Sequence, residues 1–228
     1  MRNRHNKPNS VPNSDINIKT IVVQEKGQIA NKTIPVRIRE NPKICWGIPM
    51  DEVLYSVWFA NFINMGIMPW DDFVMPISTY LPEARNFVHK HFVENSNAEY
   101  LFMLDSDVMP PPTIIERLLS HKKKMVGGWY RKKGGMCDPV VYDFSAFEGD
   151  IAKWKIRNSE KKGLEKVDGA GAGCWLMHRD VAQRLGSNPY DMHRGGEDLD
   201  LCLKVRDLGF DIFIDWDLAC AHVGVSFV

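Results

Sequence analysis

The sequence has no net charge and no long apolar run, and each absence excludes a class of protein. Its 228 residues carry 29 Lys and Arg against 29 Asp and Glu, which argues against a generally basic nucleic-acid coat. No apolar run reaches the ~18 to 20 residues that span a bilayer, and no apolar segment follows the charged N-terminus as in a signal peptide. We therefore expect a soluble, cytoplasmic protein without a transmembrane segment.

The cysteine content is also low and irregular. The five cysteines form no CxxC pair, so the sequence indicates neither a disulfide framework nor a zinc knuckle. We expect reduced thiols, most of them buried, because a free cysteine behaves as a small hydrophobic side chain. With 44% apolar and 25% charged residues, the composition is that of a folded globule with a sizeable core. The cysteines are Cys45, Cys137, Cys174, Cys202 and Cys220.

The balanced charge conceals a basic N-terminal end. Residues 1–43 hold nine Lys and Arg against three Asp and Glu. Residues 1–15 predict a leader without a fold of its own, and β-branched stretches around a Lys26-Gly27 turn predict a hairpin. We divide the chain into a basic extension with a possible β-hairpin, residues 1–42, and one domain, residues 43–228. The extension is the expected contact for an anionic acceptor or partner.

From residue 44 onward, short apolar strands alternate with helices of 3.6-residue period. This pattern predicts an α/β fold with a mostly parallel sheet, whose ligands lie beyond the carboxyl ends of the strands. After Gly128, shorter β segments predict a mixed, partly antiparallel C-terminal half. Three local expectations are that Asp51 caps a first helix running to Gly66, that Gly127-Gly128 stop the fourth strand, and that 211–215 form the last strand.

Asp105, Ser106 and Asp107 directly follow the uninterrupted apolar run 100–104. Two carboxylates at the ligand-binding edge of an α/β sheet suit a hard divalent cation: one Asp can bind the metal while the other reaches the metal or a ligand hydroxyl. The alternative is a solvated turn before three prolines.

Gly169, Ala170, Gly171, Ala172 and Gly173 precede a second apolar run. Alternate glycines allow a backbone to approach a ligand closely or to adopt a positive φ. The spacing matches neither a Walker loop nor the dinucleotide-binding fingerprint. A glycine-rich hairpin turn is the alternative.

Glu197 and Asp198 open a predicted helix that runs to Leu208. The helix dipole favours acidic residues at a helix N-terminus, so capping is one explanation. The other is a general base that accepts a proton from a nucleophilic hydroxyl. We assign that role to Asp198, with Glu197 as the second choice.

His222 follows the last predicted strand. An isolated histidine is usually structural, but an imidazole that completes a two-carboxylate site is common metal chemistry, so we include it as a metal ligand. At the end of the fourth strand, Trp129 or Tyr130 is expected to stack on a ring of the ligand, and Arg131 or Lys132 to contact phosphate. An exposed basic loop is the alternative.

Five segments in order resemble the GT-A glycosyltransferases, particularly small relatives of glycosyltransferase family 2. They are YLFMLDSDVMPPPTIIERLL, MVGGWYRKKG, VDGAGAGCWLMHRDVAQRL, GGEDLDLCLKVRDLGF and ACAHVG. The resemblance runs from about Lys43 to the end of the chain. It implies a Rossmann-like, three-layer GT-A fold. It also implies an inverting enzyme that moves a sugar from a nucleotide-sugar donor to an acceptor hydroxyl.

The resemblance assigns a role to each motif. Asp105 and Asp107 form the DxD that holds Mn²⁺ or Mg²⁺ on the donor diphosphate, Asp105 and Ser106 also contact the donor, and His222 is the C-terminal ligand. Residues 169–173 line donor and acceptor, and Asp198 is the base. Arg85, in PEARNF, matches an arginine that helps hold the nucleotide, or is a surface helix residue. The acceptor is open among a saccharide, a protein, a lipid-linked glycan and a modified nucleobase.

Two other functions are open at this point. Haloacid dehalogenase-like phosphatases also have Asp-x-Asp after an apolar strand, the first Asp being a nucleophile and the second an acid/base. Their motif follows the first strand, whereas two β-α units precede Asp105 here. A non-catalytic nucleotide- or carbohydrate-binding module would keep the pocket and would not need Asp198.

Overall fold

The computed structural model describes residues 16–25, 28–37, 42–134, 138–157 and 162–224. The chain forms two compact units, Met1–Glu40 and Asn41–Val228. In the first unit, β1 (Ile16–Glu25) and β2 (Gln28–Arg37) pair in antiparallel register. The expected leader, the Lys26-Gly27 turn and Cys137 lie outside the described residues.

The second unit alternates strands and helices along most of its length. In chain order its elements are β3 (Ile44–Gly47), α1 (Ser56–Phe62), β4 (Asp72–Val74), α2 (Leu81–Glu94), β5 (Tyr100–Leu104), β6 (Val108–Met109), α3 (Ile114–Ser120), β7 (Met125–Trp129), β8 (Val141–Glu148), β9 (Ile151–Ile156), β10 (Leu164–Val167), β11 (Gly169–Ala170), β12 (Cys174–His178), α4 (Arg179–Leu185), α5 (Glu197–Asp207), β13 (Ile212–Ala219) and β14 (Ala221–His222).

A seven-stranded sheet with the order β10-β13-β7-β12-β5-β3-β4 is the centre of this unit. β4, β3, β5, β7 and β13 share one direction, whereas β12 runs antiparallel to β5 and β7, and β10 antiparallel to β13. β8, β9 and β11 form a separate antiparallel sheet. These features confirm the predicted α/β fold with a mostly parallel sheet and a mixed C-terminal half.

Side chains on the strands alternate between two cores, one on each face of the sheet. In β5, Leu101 and Met103 belong to the core shared with α2, α4 and α5. Phe102 and Leu104 belong to the core shared with α1 and α3. Because successive strand residues point to opposite faces, residues 101–104 of β5 are all buried, and the unit has three layers.

Asp71 fastens the edge of the sheet. Its carboxylate accepts the Ile44 N–H at 3.0 Å, the Trp46 indole N–H at 2.9 Å and the Met68 N–H at 3.0 Å. Three buried donors are therefore satisfied by one nearly buried acidic side chain.

The first helix is shorter than the sequence predicts. It begins at Ser56, and Tyr55 rather than Asp51 holds the N-cap position, without a side-chain hydrogen bond. Val53 lies before the helix and is 81% exposed. Val57, four residues further on and at helical spacing, is also 56% exposed, so this spacing reflects no buried helix face.

The fourth strand of the main sheet, β7, continues through Gly127-Gly128, which the sequence treats as a stop. A Cβ on Gly127 would lie 2.6 Å from the Cys174 carbonyl oxygen, and one on Gly128 would lie 2.9 Å from the Leu218 carbonyl oxygen. The glycines thus allow neighbouring strands to approach closely. The last long strand, β13, extends to Ala219 rather than Asp215, and α4 is an element that the sequence reading missed.

None of the described helices has the length and apolar content needed to cross a bilayer. Cys45, Cys174, Cys202 and Cys220 are free and buried, which confirms the expectation for the four cysteines in the described part of the chain.

Candidate active site

The candidate site lies where the sheet changes winding direction. β4 and β5 flank β3 on opposite sides, so a crevice opens outside the carboxyl ends of β3 and β5, the place where doubly wound sheets bind ligands. β12 runs in the opposite direction and begins at this edge. It therefore brings the glycine segment (residues 169–173) beside the DxD turn (residues 105–107). The Asp105 N–H donates to the Gly173 carbonyl at 3.0 Å.

A cleft of about 210 Å³ occupies this crevice. It is lined by the turn after β3, by the approach to α2 and by the DxD turn. The lining residues are Pro49, Met50, Asp51, Thr79, Leu81, Asp105, Ser106 and Asp107. Apart from Asp105, Ser106 and Asp107, the sequence analysis did not predict these residues as part of a site. They follow the carboxyl ends of β3 and β4, and that position is the feature of the sequence that could have indicated them.

The DxD turn is held by Trp58 from α1. Its indole N–H donates to the Asp105 carbonyl at 3.0 Å and to the Val108 carbonyl at 2.9 Å. The Asp105 carboxylate accepts both of its hydrogen bonds, at 2.9 and 3.0 Å, from one terminal nitrogen of Arg85. Asp105 therefore faces a guanidinium.

Asp107 faces two cationic groups. The Lys133 ammonium donates to its carboxylate, and the Nε2 atom of His222 lies 3.4 Å from its Oδ1 atom. Burial favours the neutral carboxyl, but the hydrogen bonds from His222 and Lys133 outweigh it and hold the pKa of Asp107 below its usual value. The contact with Lys133 was not anticipated, because nothing in the sequence fixes where a loop lysine points.

His222 is brought to Asp107 by β14, which pairs with β6 so that His222 lies opposite Val108. Its Nδ1–H donates to the Arg131 carbonyl at 2.7 Å, and because a carbonyl only accepts, this fixes Nδ1 as the protonated nitrogen of the neutral ring. In the protonated ring, Nε2–H faces Asp107 and donates to its carboxylate, whereas in the neutral ring Nε2 carries the lone pair that a metal could use. Burial disfavours the imidazolium, but Asp107 and the Arg131 carbonyl outweigh this effect and raise the pKa of His222.

Glu197 and Asp198 form the first turn of α5, after Gly195 and Gly196, whose φ values are 124° and 118°. Such backbone angles favour glycine and explain the Gly-Gly before the helix. The carboxylate of Asp198 accepts the Leu199 N–H at 2.8 Å. Desolvation raises the pKa of Asp198 from 3.8 to about 6, although the Arg85 charge opposes this.

Arg85 links the two acidic motifs. While one terminal nitrogen contacts Asp105, the other donates to Glu197 Oε1 at 2.5 Å. Arg85 is 2% exposed, so it is not a surface helix residue. Burial opposes its charge, but the surrounding carboxylates raise its pKa above the usual value.

The glycine segment packs against Tyr130. The Gly173 N–H donates to the Tyr130 hydroxyl at 3.0 Å, and a Cβ on Gly171 or Gly173 would lie 2.5 or 2.6 Å from that oxygen. Gly169 faces Trp154, whose ring carbon would lie 2.9 Å from an added Cβ. None of the three glycines has a positive φ, so close packing explains them.

The side chains after β7 differ in exposure. Tyr130 is 7% exposed and its ring lies edge-on to His222, with centroids 5.2 Å apart. The Trp129 indole N–H donates to the Trp216 carbonyl at 2.9 Å. Arg131 is exposed, and its guanidinium lies 5.6 Å from the Trp129 ring centroid.

Comparison with known proteins identifies the fold. No family model matches the chain, and no curated protein matches its sequence. Solved structures do match. The likeness to A197 from STIV has a TM-score of 0.57 at 17% identity and covers 82% of this chain and 86% of that one.

The structure of GalNAc-T7 with UDP, GalNAc and Mn²⁺ matches with a TM-score of 0.56 at 12% identity, over 79% of this chain and 43% of that one. The domain has a GT-A-like fold. This chain spans less than half the length of GalNAc-T7, and at these identities the likeness concerns the fold alone.

The side chains of the candidate site are only partly arranged for a divalent cation. Across the described residues, no group of three or more His, Cys, Asp and Glu side chains is arranged to hold a metal ion. Asp107 and His222 do come together and offer one carboxylate and one imidazole, but the Lys133 ammonium is bonded to Asp107 in this arrangement. Asp105 faces Arg85 instead of joining a three-residue cluster. Asp107 and His222 would thus supply two ligands to a metal ion, and the bound substrate would have to supply the others.

Proposed function

We propose that the protein is a glycosyltransferase related to family 2, which transfers a sugar from a nucleotide-sugar donor to an acceptor hydroxyl with inversion. Asp198 carries the proposal. A carboxyl whose pKa is about 6 is mostly ionised at neutral pH and is a stronger base than an ordinary aspartate. Arg85 contacts Asp105 and its charge also acts on Asp198, so the proposed base lies close to the Asp105 turn, although Asp198 is not among the residues that line the cleft.

In this mechanism Asp198 accepts the proton of the acceptor hydroxyl as its oxygen attacks the anomeric carbon. The attack comes from the face opposite the leaving diphosphate, so a single displacement inverts the configuration. Glu197 is held by Arg85 and supports the helix turn that carries the base. Gly169–Gly173 form the wall between donor and acceptor.

Asp107 and His222 would hold Mn²⁺ or Mg²⁺, with Asp105 and Ser106 toward the donor. The metal, when bound, would neutralise charge on the leaving diphosphate. Arg131, whose carbonyl accepts from His222 and whose guanidinium is exposed, would contact a phosphate of the donor. Tyr130, being buried, supports the glycine wall better than it could stack on a sugar.

Binding of the donor with metal is the most direct test. We expect Mn²⁺ together with a UDP-, GDP- or dTDP-sugar to raise the melting temperature and to give a calorimetric binding signal. Asp107→Ala and His222→Ala should abolish the metal-dependent part of both. Asp180→Ala is the matched control. Asp180 pairs with a lysine, as Asp107 does, but it lies on α4, outside the candidate site. The proposal would be contradicted if Mn²⁺ failed to stabilise the protein with every nucleotide-sugar tried.

The alternatives predict different outcomes. A phosphatase of the dehalogenase type would be trapped as an aspartyl-phosphate at Asp105 and would release phosphate from simple phosphoesters. The Arg85 contacts to both Asp105 oxygens oppose that role, because they lower the nucleophilicity of the carboxylate. A binding module would keep all of its measured function in Asp198→Asn.

A further inference from the structure

Arg85 lies between the strand end that carries Asp105 and the helix turn that carries Glu197 and Asp198. One terminal nitrogen contacts both Asp105 oxygens at 2.9 and 3.0 Å, and the other contacts Glu197 at 2.5 Å. The contacts join residues that are 20 and 112 positions away in the chain. A single buried guanidinium thus fixes the distance between the two acidic motifs.

The hydrogen-bonding capacity of Arg85 is largely committed to these protein carboxylates. A guanidinium has five N–H donors, and three of its contacts go to Asp105 and Glu197. Its Nε–H is buried without a hydrogen-bond partner among the described residues. An arginine whose main role was to bind a nucleotide would keep its fork free for phosphate, whereas both terminal nitrogens of Arg85 contact protein carboxylates.

We propose that Arg85 is a positioning residue that locks the Glu197-Asp198 turn against the Asp105 turn and keeps Asp198 available as a base, rather than a contact for the nucleotide. This inference rests on the proposed function. Arg85 touches Glu197 and acts on Asp198 through the shared helix turn and through its charge.

The charges around Asp198 explain why a cation is needed there. The charges of Glu197, which precedes it on α5, and of Asp105, which follows β5, both disfavour its ionised form. Tyr130 and Tyr142 are neutral phenols whose pKa values burial raises. Among the groups that act on Asp198, Arg85 is the cation that favours the carboxylate. Without it, three carboxylates would share one partly buried site, and Asp198 would hold its proton at neutral pH.

The experiment separates positioning from nucleotide binding. Arg85→Gln removes the charge, and Arg85→Lys keeps the charge but loses the fork. Lys90→Met is the control, since it removes an exposed cation from the same helix. For each variant we would measure kcat and KM for the donor against pH, the calorimetric Kd of UDP with Mn²⁺, and the titration of Asp198 by NMR of ¹³C-labelled aspartate, with Asp198→Asn to assign the signal.

For Arg85→Gln we expect kcat at pH 7 to fall by about 100-fold, and both the acid limb of kcat and the Asp198 titration to move upward by about one pH unit or more. The Kd of UDP should stay within roughly threefold of the wild-type value. Arg85→Lys should restore the titration but only part of kcat. If Arg85→Gln does not fold, the double variant Arg85→Gln/Glu197→Gln is used instead, because it removes one of the carboxylates together with the cation. Arg85→Lys still tests whether the two-pronged contact to Asp105 and Glu197 is needed.

If Arg85→Gln raised the Kd of UDP tenfold or more and left the titration midpoint of Asp198 unchanged, the proposal would be overturned and Arg85 would be a nucleotide contact. The NMR titration needs no turnover, so it decides the role of Arg85 even if no donor supports transfer. Absence of transfer by the wild-type protein with every donor would count against the proposed function instead.

Discussion

Replacing Asp198 by asparagine should stabilise the protein at neutral pH while it removes the proposed base. Burial raises the pKa of Asp198 from 3.8 to about 6 against the opposing charge of Arg85. The native state therefore binds the proton more tightly than the unfolded chain between about pH 4 and 6, so stability falls as the pH rises through that interval. The difference corresponds to about 3 kcal/mol, an upper bound because the side chain keeps some contact with water.

Asparagine carries no charge at any pH, and its Oδ1 atom can still accept the Leu199 N–H. We expect Asp198→Asn to gain about 2 kcal/mol at pH 7, or about 4 to 8 °C in melting temperature, and almost nothing below about pH 4. Urea unfolding at pH 4, 5, 6 and 7 would measure this, with Asp207→Asn as the control on the same helix. Asp207 is 69% exposed, so its change should stay within about 0.5 kcal/mol. A gain that does not depend on pH, or a loss at pH 7, would refute the reasoning.

Two further substitutions test the packing that supports the site. Asp71→Ala should cost about 3 kcal/mol or more in urea unfolding, because it leaves three buried N–H donors unpaired, whereas Asp71→Asn keeps an acceptor and should cost less; equal losses would contradict this. Gly173→Ala should cost about 1 to 3 kcal/mol, because the new Cβ would lie 2.6 Å from the Tyr130 oxygen and 2.7 Å from Asp105 Oδ2. In a Tyr130→Phe background the same change should cost less, and an undiminished cost would show that the phenol oxygen is not the obstacle.

The strands with both faces buried were predictable from the sequence, and the first helix was not. β5 follows its apolar run because side chains on either face reach a core. Val53 and Val57 are spaced as on a helix face, but both are exposed, so no buried face extends the helix before Ser56. The prediction that Gly127 and Gly128 end the strand was wrong. These glycines allow neighbouring strands to approach closely, and contacts between strands cannot be seen in the local sequence.

For the candidate site, the sequence indicated the residue types but not their partners. Asp105 and Asp107 follow β5 as expected, yet one faces Arg85 and the other faces Lys133 and His222. These pairs join segments far apart in the chain, and their geometry depends on strand order. The strand order places β12 beside β5, although several elements separate them in sequence.

The position of β12 has a consequence for how the molecule assembles. β5 and β7 are made early in synthesis, but each keeps an unpaired edge facing the other until β12, which follows four further strands, fits between them. Closure of the sheet therefore depends on contacts of high sequence separation, which slow folding and leave open edges able to pair with other chains. The same insertion delivers the Gly173 carbonyl to the Asp105 N–H. The candidate site therefore stays incomplete until this insertion, because the Asp105 turn gains its hydrogen bond to Gly173 only when β12 takes its place in the sheet.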